Sequence, residues 1–341
     1  MESKNTPLVT VLMPCYNAMP FLEEALMSIT NQTYRNLEIL CINDGSLDNT
    51  GEVLEQFAKN DDRIKVINNE VNLKLIGTLN NGVSLAKGEY IARMDADDVC
   101  LPERIEKQLN YLFDTNSDIV GCNAFSINED GETIGNHQLK NISANESTFA
   151  SFLFTPLIHP TVLGKKDVFQ DNPYLKEEKA LHTEDYELWC RLIRKGYKIS
   201  NLEDRLFKLR ANSQSVSSQF EEIQKINFAT CAKEHFENHF NVEVKKDVYD
   251  VVVNRFKTLD RKALNKPLSI IDSIGKDLNF KSDKRIKMIS SQQKTDILIQ
   301  VLRKQSTSLK FIALFKLLGL LIKNLFNSQY MDYLKQKRKA S

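Results

Sequence analysis

Apolar and polar positions follow two rhythms over the first hundred residues. Val9 to Met13, Leu37 to Ile42, Ile64 to Ile67 and Tyr90 to Met94 are short, largely apolar runs. Each is bounded by polar or turn-forming residues, the pattern of strands covered on both faces. Between them the spacing becomes helical. Leu22, Leu26 and Ile29 share one face of a helix from about Pro20, and Val53, Leu54, Phe57 and Ala58 share a face after Asp48-Asn49-Thr50. Thr78 to Lys87 reads as a third helix, stopped by Gly88. Strand and helix alternating at this spacing predict a parallel sheet with right-handed crossovers and helices on both faces.

The pattern loosens further on. A helix is expected over Pro102 to Phe113, a strand over Asp118 to Phe125 and a hairpin turn at Asp130-Gly131. Phe149 to Phe154 reads as a short helix, and Leu157 to Val162 enters a further strand. A charged loop from Asp171 to Ala180 leads to Glu184-Asp185 and a helix over Tyr186 to Lys195, ended by Gly196. Ser213 to Ser218 reads as a linker, and residues from Gln219 onward as helical.

Composition narrows the class. The 341 residues are 42% hydrophobic and 27% charged, with a net charge of +1. That is an ordinary globular balance and argues against a broad nucleic-acid surface. Leu8 to Met13 is too short for a signal peptide, and no apolar run is long enough for a conventional membrane span. The six cysteines show no Cys-x-x-Cys spacing, which suits buried thiols in a reducing cytoplasm.

Candidate chemistry gathers where strands end. Asp95, Asp97 and Asp98 follow the Tyr90 strand nearly side by side. Carboxylates so placed repel one another unless a cation joins them, and a hard ion such as Mg²⁺ or Mn²⁺ is the usual partner. If the extended backbone persists through Ala96, Asp95 and Asp97 point to one side. An acidic strand-to-helix loop with Asp98 as helix cap is the plain alternative. Asn17 and Asp44 stand at two other strand ends, so a nucleotide pocket is plausible. Asp44 is suited to accept a ring N–H from uracil, thymine or guanine, or else to make an Asx-turn before Gly45. Glycine-rich phosphate loops are absent: Gly77 and Gly82 have Walker-A spacing, but Val83 stands where lysine is needed. Glu184 and Asp185 sit where a helix dipole favours negative charge. His159 is read either as a loop histidine or as a cleft residue, and Trp189 either as core or as a sugar-stacking platform.

Taken in order, Pro14-x-Tyr16-Asn17, Asn43-Asp44-Gly45-Ser46-x-Asp48-Asn49-Thr50, Asn80-x-Gly82, Ala86-x-Gly88-Glu89-Tyr90-Ile91, Asp95-x-Asp97-Asp98 and Glu184-Asp185 with Leu188-Trp189 form a set. Over Leu8 to Ser217 this set resembles the family 2 glycosyltransferases of GT-A fold. The resemblance implies an α/β fold with a mostly parallel sheet flanked by helices, a Rossmann-like nucleotide-binding half and a C-terminal helical extension. It implies inverting, metal-dependent transfer of one sugar from a nucleotide-diphosphate sugar, most often a UDP-sugar. The acceptor would be a hydroxyl of a glycan or lipid-linked molecule in surface polysaccharide or lipopolysaccharide synthesis. By motif position, Pro14, Tyr16 and Asn17 would line the nucleotide pocket, Asp44 would read the base, and Asp95 would lie near ribose and sugar. Asp97 would ligate Mn²⁺ or Mg²⁺, and Asp185 would be the general base. Two positions depart from the family pattern: Asn43 stands where many members have Asp, and Leu79 where many have Arg before Asn80. The Gln-x-x-Arg-Trp signature of processive synthases is absent, which favours single additions. A sugar nucleotidyltransferase is disfavoured by Pro14-Cys15-Tyr16-Asn17 where a basic glycine-rich loop belongs. A non-catalytic binding protein is disfavoured by Asp44, Asp95, Asp97 and Asp185 occurring together.

The expected organisation is a catalytic domain over 1–217, with a nucleotide-sugar half over 8–100 and an acceptor half over 101–217, followed by a helical region over 218–341. Leu309 to Phe326 is densely apolar but punctuated by Lys310, Lys316 and Lys323, and Lys335 to Lys339 form a basic tail. Packing as a core helix and peripheral contact with a membrane both fit that segment. The expected location is the cytoplasm, with such contact on the inner face of the cytoplasmic membrane.

Overall fold

The computed structural model describes residues 6–139, 142–211, 220–253, 264–276, 283–304, 307–324, 330 and 333–334. The serine-rich stretch 213–218 and the basic tail 335–339 lie outside them. The chain forms two compact units, one of Met1–Ser147 with Thr155–Gln224 and one of Thr148–Phe154 with Lys225–Ser341.

The first unit is built on a nine-stranded sheet. Strands β1 (Val9–Cys15), β2 (Leu37–Asn43), β3 (Ile64–Asn68) and β4 (Tyr90–Arg93) alternate with helices α1 (Leu22–Thr30), α2 (Thr50–Asn60) and α3 (Lys74–Leu85). They lie in the order β3-β2-β1-β4, all parallel, with Val11 opposite Ile39 on one side and Ala92 on the other. The alternation along each strand sorts side chains into two cores. Val9, Val11, Met13, Ile39 and Cys41 pack with Leu22, Leu26 and Ile29 of α1 and Leu54 of α2. Leu12, Leu40 and Ile42 pack on the other face with Ile76, Leu79 and Val83 of α3. Thr10 would break that pattern, but its hydroxyl donates to buried Glu38, which also accepts the Lys87 N–H.

The remaining strands are β5 (Val99–Cys100), β6 (Ile119–Ile127), β7 (Thr133–His137), β8 (Leu163–Lys165) and β9 (Ile199–Arg210). The helices among them are α4 (Arg104–Thr115), α5 (Ala144–Ser151), α6 (Lys166–Asp171) and α7 (Glu184–Arg194). Here the sheet is mixed: β8 runs antiparallel to β4 and β6, β9 parallel to β6, and β5 antiparallel to β9. Ile105, Leu109 and Leu112 of α4 join the first core, while Leu188, Trp189 and Leu192 of α7 join the second.

Several local expectations change. The stretch after β4 does not stay extended, because Ala96 and Asp97 form a turn. Val99–Cys100 pairs with Phe207–Lys208 before α4 begins at Arg104, so Asp98 caps no helix. His159–Thr161 is a single 3-10 turn, and the strand follows at Leu163. The short helix α5 ends at Ser151 rather than covering Phe149 to Phe154. The hairpin at Asp130-Gly131 is present, with Gly131 at φ 81 joining β6 to β7.

The second unit is helical among the described residues, with α8 (Glu221–Phe240), α9 (Lys246–Val252), α10 (Asn265–Ile274), α11 (Lys284–Lys304) and α12 (Thr307–Lys323). Within it Phe152 stacks on His235 at 4.6 Å, and Tyr249 Oη donates to the Phe152 carbonyl. Gln293 donates to the Val252 carbonyl, and Lys294 pairs with Asp272.

Candidate active site

The parallel strands β1, β2 and β4 each deliver a polar loop from their carboxyl ends, where open α/β sheets bind ligands. The loop after β1 carries Pro14, Tyr16 and Asn17, and Tyr16 is exposed. Asn17 adopts φ 47, a left-handed conformation that asparagine tolerates. That twist lets its Oδ1 accept the Leu47 N–H at 2.8 Å while its own N–H donates to Ser46 Oγ. The two loops are thereby laced into one wall.

Asp44 opens the loop after β2 and is buried. Its Oδ1 accepts from Asn69 Nδ2 at 2.7 Å and from the Leu73 N–H at 2.8 Å. One oxygen is committed to the fold, which fixes the direction of the carboxylate. Asn43 bonds Asn68 and the Ser46 N–H, so it shapes the same loop.

The acidic loop after β4 brings Asp95, Asp97 and Asp98 together, with one oxygen of each within 4.8 Å of the others. The turn at Ala96–Asp97 achieves this without an extended backbone. The three carboxylates are differently held. Asp95 Oδ1 bonds Arg93 Nη2 at 2.5 Å. Asp98 Oδ1 accepts the Arg210 N–H at 2.9 Å. Asp97 accepts from its own backbone N–H, and its carbonyl is bonded by Arg210 Nε at 2.8 Å. Burial and the neighbouring Asp95 push the Asp97 carboxyl up to about 6, and the same causes push Asp98 well above the usual range. Such a cluster resists full ionisation by itself, so its donor set suits a hard divalent cation.

Arg210 ends β9 and holds the loop in place. Nη1 donates to the Asn128 and Glu129 carbonyls, Nη2 pairs with Glu24 at 2.5 Å, and the guanidinium lies 4.5 Å from the Phe21 ring centroid. Arg104 of α4, fully buried, does the same one layer down. Its Nη2 donates to the Arg93 and Pro160 carbonyls, while Gln108 donates to the Thr161 carbonyl.

Helix α7 starts with Glu184 and Asp185, where the charges of Arg93 and Asp95 are felt. Glu184 is 9% exposed, and burial with Asp185 beside it pushes its carboxyl up to about 7. Burial also raises Asp185, opposed by hydrogen bonding from the Tyr186 N–H and by the Arg93 charge. His159 Nε2 and Tyr174 Oη are hydrogen-bonded at 2.9 Å, and the His159 ring meets Trp189 edge to face at 6.1 Å. Burial and Arg93 hold His159 well below its usual range, so it is neutral near pH 7. Trp189 is wholly buried, which makes it core rather than an open stacking platform. Asn80 ties α3 to this wall by reciprocal bonds with the Tyr174 backbone, both 2.9 Å.

Arg93, Arg104, Arg210 and Tyr174 were not marked by the sequence pattern. The three arginines lie inside strands or helices, and a buried cation has the same letter as a solvated one.

The family model "Glycosyl transferase family 2" matches residues 10–172. An uncharacterized glycosyltransferase of Haemophilus influenzae is 31% identical over 293 residues, 82% of this chain and 88% of the relative. The O-antigen biosynthesis glycosyltransferase WbnJ of Escherichia coli is 32% identical over 63% of this chain and 84% of its own length. Among solved structures, residues 1–349 of Staphylococcus aureus TarS with UDP superpose at a TM-score of 0.51 and 17% identity, over 98% of this chain and 92% of that one. The mannosyltransferase PcManGT of Pyrobaculum calidifontis, with GDP-Man and Mn²⁺, gives 0.54 at 16% identity over 95% and 89%. Likeness at such identities speaks for a shared fold.

Proposed function

The chain belongs to glycosyl transferase family 2 and has the GT-A fold, and from this we propose that it transfers a single hexosyl or N-acetylhexosaminyl unit from a nucleotide-diphosphate sugar, with inversion, to an acceptor hydroxyl. A UDP-sugar is the proposed donor. The proposed acceptor is a glycan or lipid-linked molecule in surface polysaccharide or lipopolysaccharide synthesis, the setting that the name of the WbnJ relative carries. The observation that carries the reading is the Asp95–Asp97–Asp98 cluster at the end of β4, across β1 from Asp44 at the end of β2.

In this reading the loops of Pro14, Tyr16 and Asn17 receive the nucleoside. Asp44, with Oδ1 held by Asn69 and Leu73, offers its other oxygen to a base N–H. Asp95 faces ribose and sugar. Asp97 is the principal ligand of a divalent ion, Mn²⁺ or Mg²⁺, which when bound neutralises charge on the departing diphosphate. Asp185 takes the acceptor proton as the acceptor oxygen bonds the anomeric carbon. The bond from that carbon to the diphosphate oxygen breaks, and its electron pair leaves with the nucleotide. A single displacement inverts the centre and needs no enzyme nucleophile.

A panel of UDP-, dTDP- and GDP-sugars with Mn²⁺ tests this, scored by nucleotide release in the presence of acceptor and by thermal stabilisation. Release and stabilisation by one nucleotide class is the expected result. Stabilisation by none, with no release, overturns the reading.

A further inference from the structure

We propose that Arg93 is a positioning residue for the acidic loop: it withholds Asp95 from the divalent ion and so keeps the loop's own hold on that ion weak. The inference rests on the reading of Asp95, Asp97 and Asp98 as the ion's site. Arg93 ends β4, and alternation along the strand puts its side chain on the same side as that of Asp95, two residues on. Nη2 lies 2.5 Å from Asp95 Oδ1. The pair is uneven, with the Arg93 side chain 5% exposed and that of Asp95 32%. The guanidinium is enclosed, while the carboxylate it holds stays open to solvent on another side.

Asp95 is the one acceptor this guanidinium has among the described residues, where its buried Nε and Nη1 have no hydrogen-bond partner. Arg104 and Arg210, which brace the same region, each place all three guanidinium nitrogens on acceptors. The Arg93 backbone is pinned on both sides: its N–H donates to the Val162 carbonyl at 2.9 Å, and its carbonyl accepts from Arg104 Nη2 at 2.7 Å. An ion that drew Asp95 into its own shell would strip a buried cation of its partner. Removing one member of a buried pair is strongly unfavourable, because the charge left behind is uncompensated. Asp98 Oδ1 already accepts the Arg210 N–H, so two of the three carboxylates carry prior commitments. A hard ion bound through one or two carboxylates gathers its remaining oxygens from water or phosphate. In the transferase reading the donor's diphosphate brings those oxygens, with negative charge that offsets Arg93.

Mn²⁺ binding by the full chain, at low salt and without nucleotide, is read from the loss of the free ion's electron paramagnetic resonance signal. Arg93→Gln is expected to bind Mn²⁺ about 10-fold more tightly than the wild type, the scale of removing one nearby like charge. Mere loss of packing would not produce a gain in affinity. Charge alone would make the effects of Arg93→Gln and Asp95→Asn add. Withholding makes Asp95→Asn cost more in the Arg93→Gln protein than in the wild type, where Asp95 is already engaged. If Arg93→Gln does not fold, Asp95→Asn and Asp97→Asn are compared in the otherwise wild-type chain, and the Asp97 change should cost far more. Equal or weaker Mn²⁺ binding by folded Arg93→Gln, additive effects of the two substitutions, or an Asp95→Asn loss as large as that of Asp97→Asn overturns the proposal. The expected Mn²⁺ results in a protein whose Mn²⁺ affinity responds to no nucleotide sustain the withholding of Asp95 and sink the transferase reading.

Discussion

Asp97 has its acidity weakened by burial and by Asp95, while Asp95 is committed to the Arg93 guanidinium and Asp98 to the Arg210 N–H. Asp97→Ala should therefore abolish the Mn²⁺-dependent part of UDP binding while the fold persists, since the change relieves repulsion in the metal-free protein. Calorimetry of UDP with and without Mn²⁺ reads this, and equal enhancement in both proteins would refute the ligand role. Asp185→Asn keeps size but cannot take a proton. Turnover should fall about 10²-fold or more with donor affinity nearly intact. Near-normal turnover there would mean the wrong carboxylate was chosen. Glu184 gives a prediction on stability. Its carboxyl, ordinarily near 4.5, is raised to about 7, so its cost is absent below about 4.5, grows between about 4.5 and 7 and is fully present above 7. Glu184→Gln should match the wild type at pH 4.5 and exceed it by up to about 3 kcal/mol above pH 8 in metal-free urea unfolding. A gap that is constant with pH would show that Glu184 does not titrate there.

At the scale of elements, Gly82 decides how closely α3 lies on the sheet. A Cβ there would overlap Leu12 and come within 2.8 Å of Ile42 Cδ1, both core residues of the parallel strands. Gly82→Ala should cost about 1–3 kcal/mol of unfolding free energy, the usual penalty of overpacking. An unchanged denaturation midpoint would mean that the two side chains move aside freely. The same scale shows what the residues announced. Strands β1, β2 and β4 were legible because each is a short apolar run buried on both faces, β3 because Ile64–Ile67 stays largely apolar although it lies at the sheet edge, and α1, α2, α4 and α7 because their apolar positions recur at helical spacing. Strand β9 was not. Glu203-Asp204-Arg205 interrupts it, and the pairing with β6 shifts register at Cys122–Ala124, so neither alternation nor a continuous run survives. β5 is two residues long and has no period to read. The three aspartates after β4 were visible as a cluster, but their grouping depends on a turn that the preceding strand pattern does not foretell.

No helix among the described residues is long and apolar enough to cross a membrane. Yet Leu314, Phe315 and Leu318 of α12 are exposed, with Phe315 at 73%. Lys316 and Lys323 lie two turns apart on the same helix. These features support peripheral binding to anionic membranes, helped by the basic tail and weakened by salt. Flotation with anionic liposomes should carry the full chain at low salt, and should fail for a chain ending at Lys304, with Gln305 the first residue removed. Equal flotation of both, or none of the full chain, would leave α12 as a helix packed on protein.

Arg210 also has a consequence in time. It reaches back 112 residues to Asp98 and 186 to Glu24. A ribosome adding about 5–20 residues per second needs roughly 6–22 s to go from one aspartate to the arginine that fixes it. During that interval the parallel strands can already pair, while the acidic loop has no anchor from β9. A nascent chain halted before residue 210 would then hold the Asn17–Ser46 wall already laced together beside an acidic loop without that anchor. The final arrangement of the three aspartates arrives late, with the last strand of the sheet.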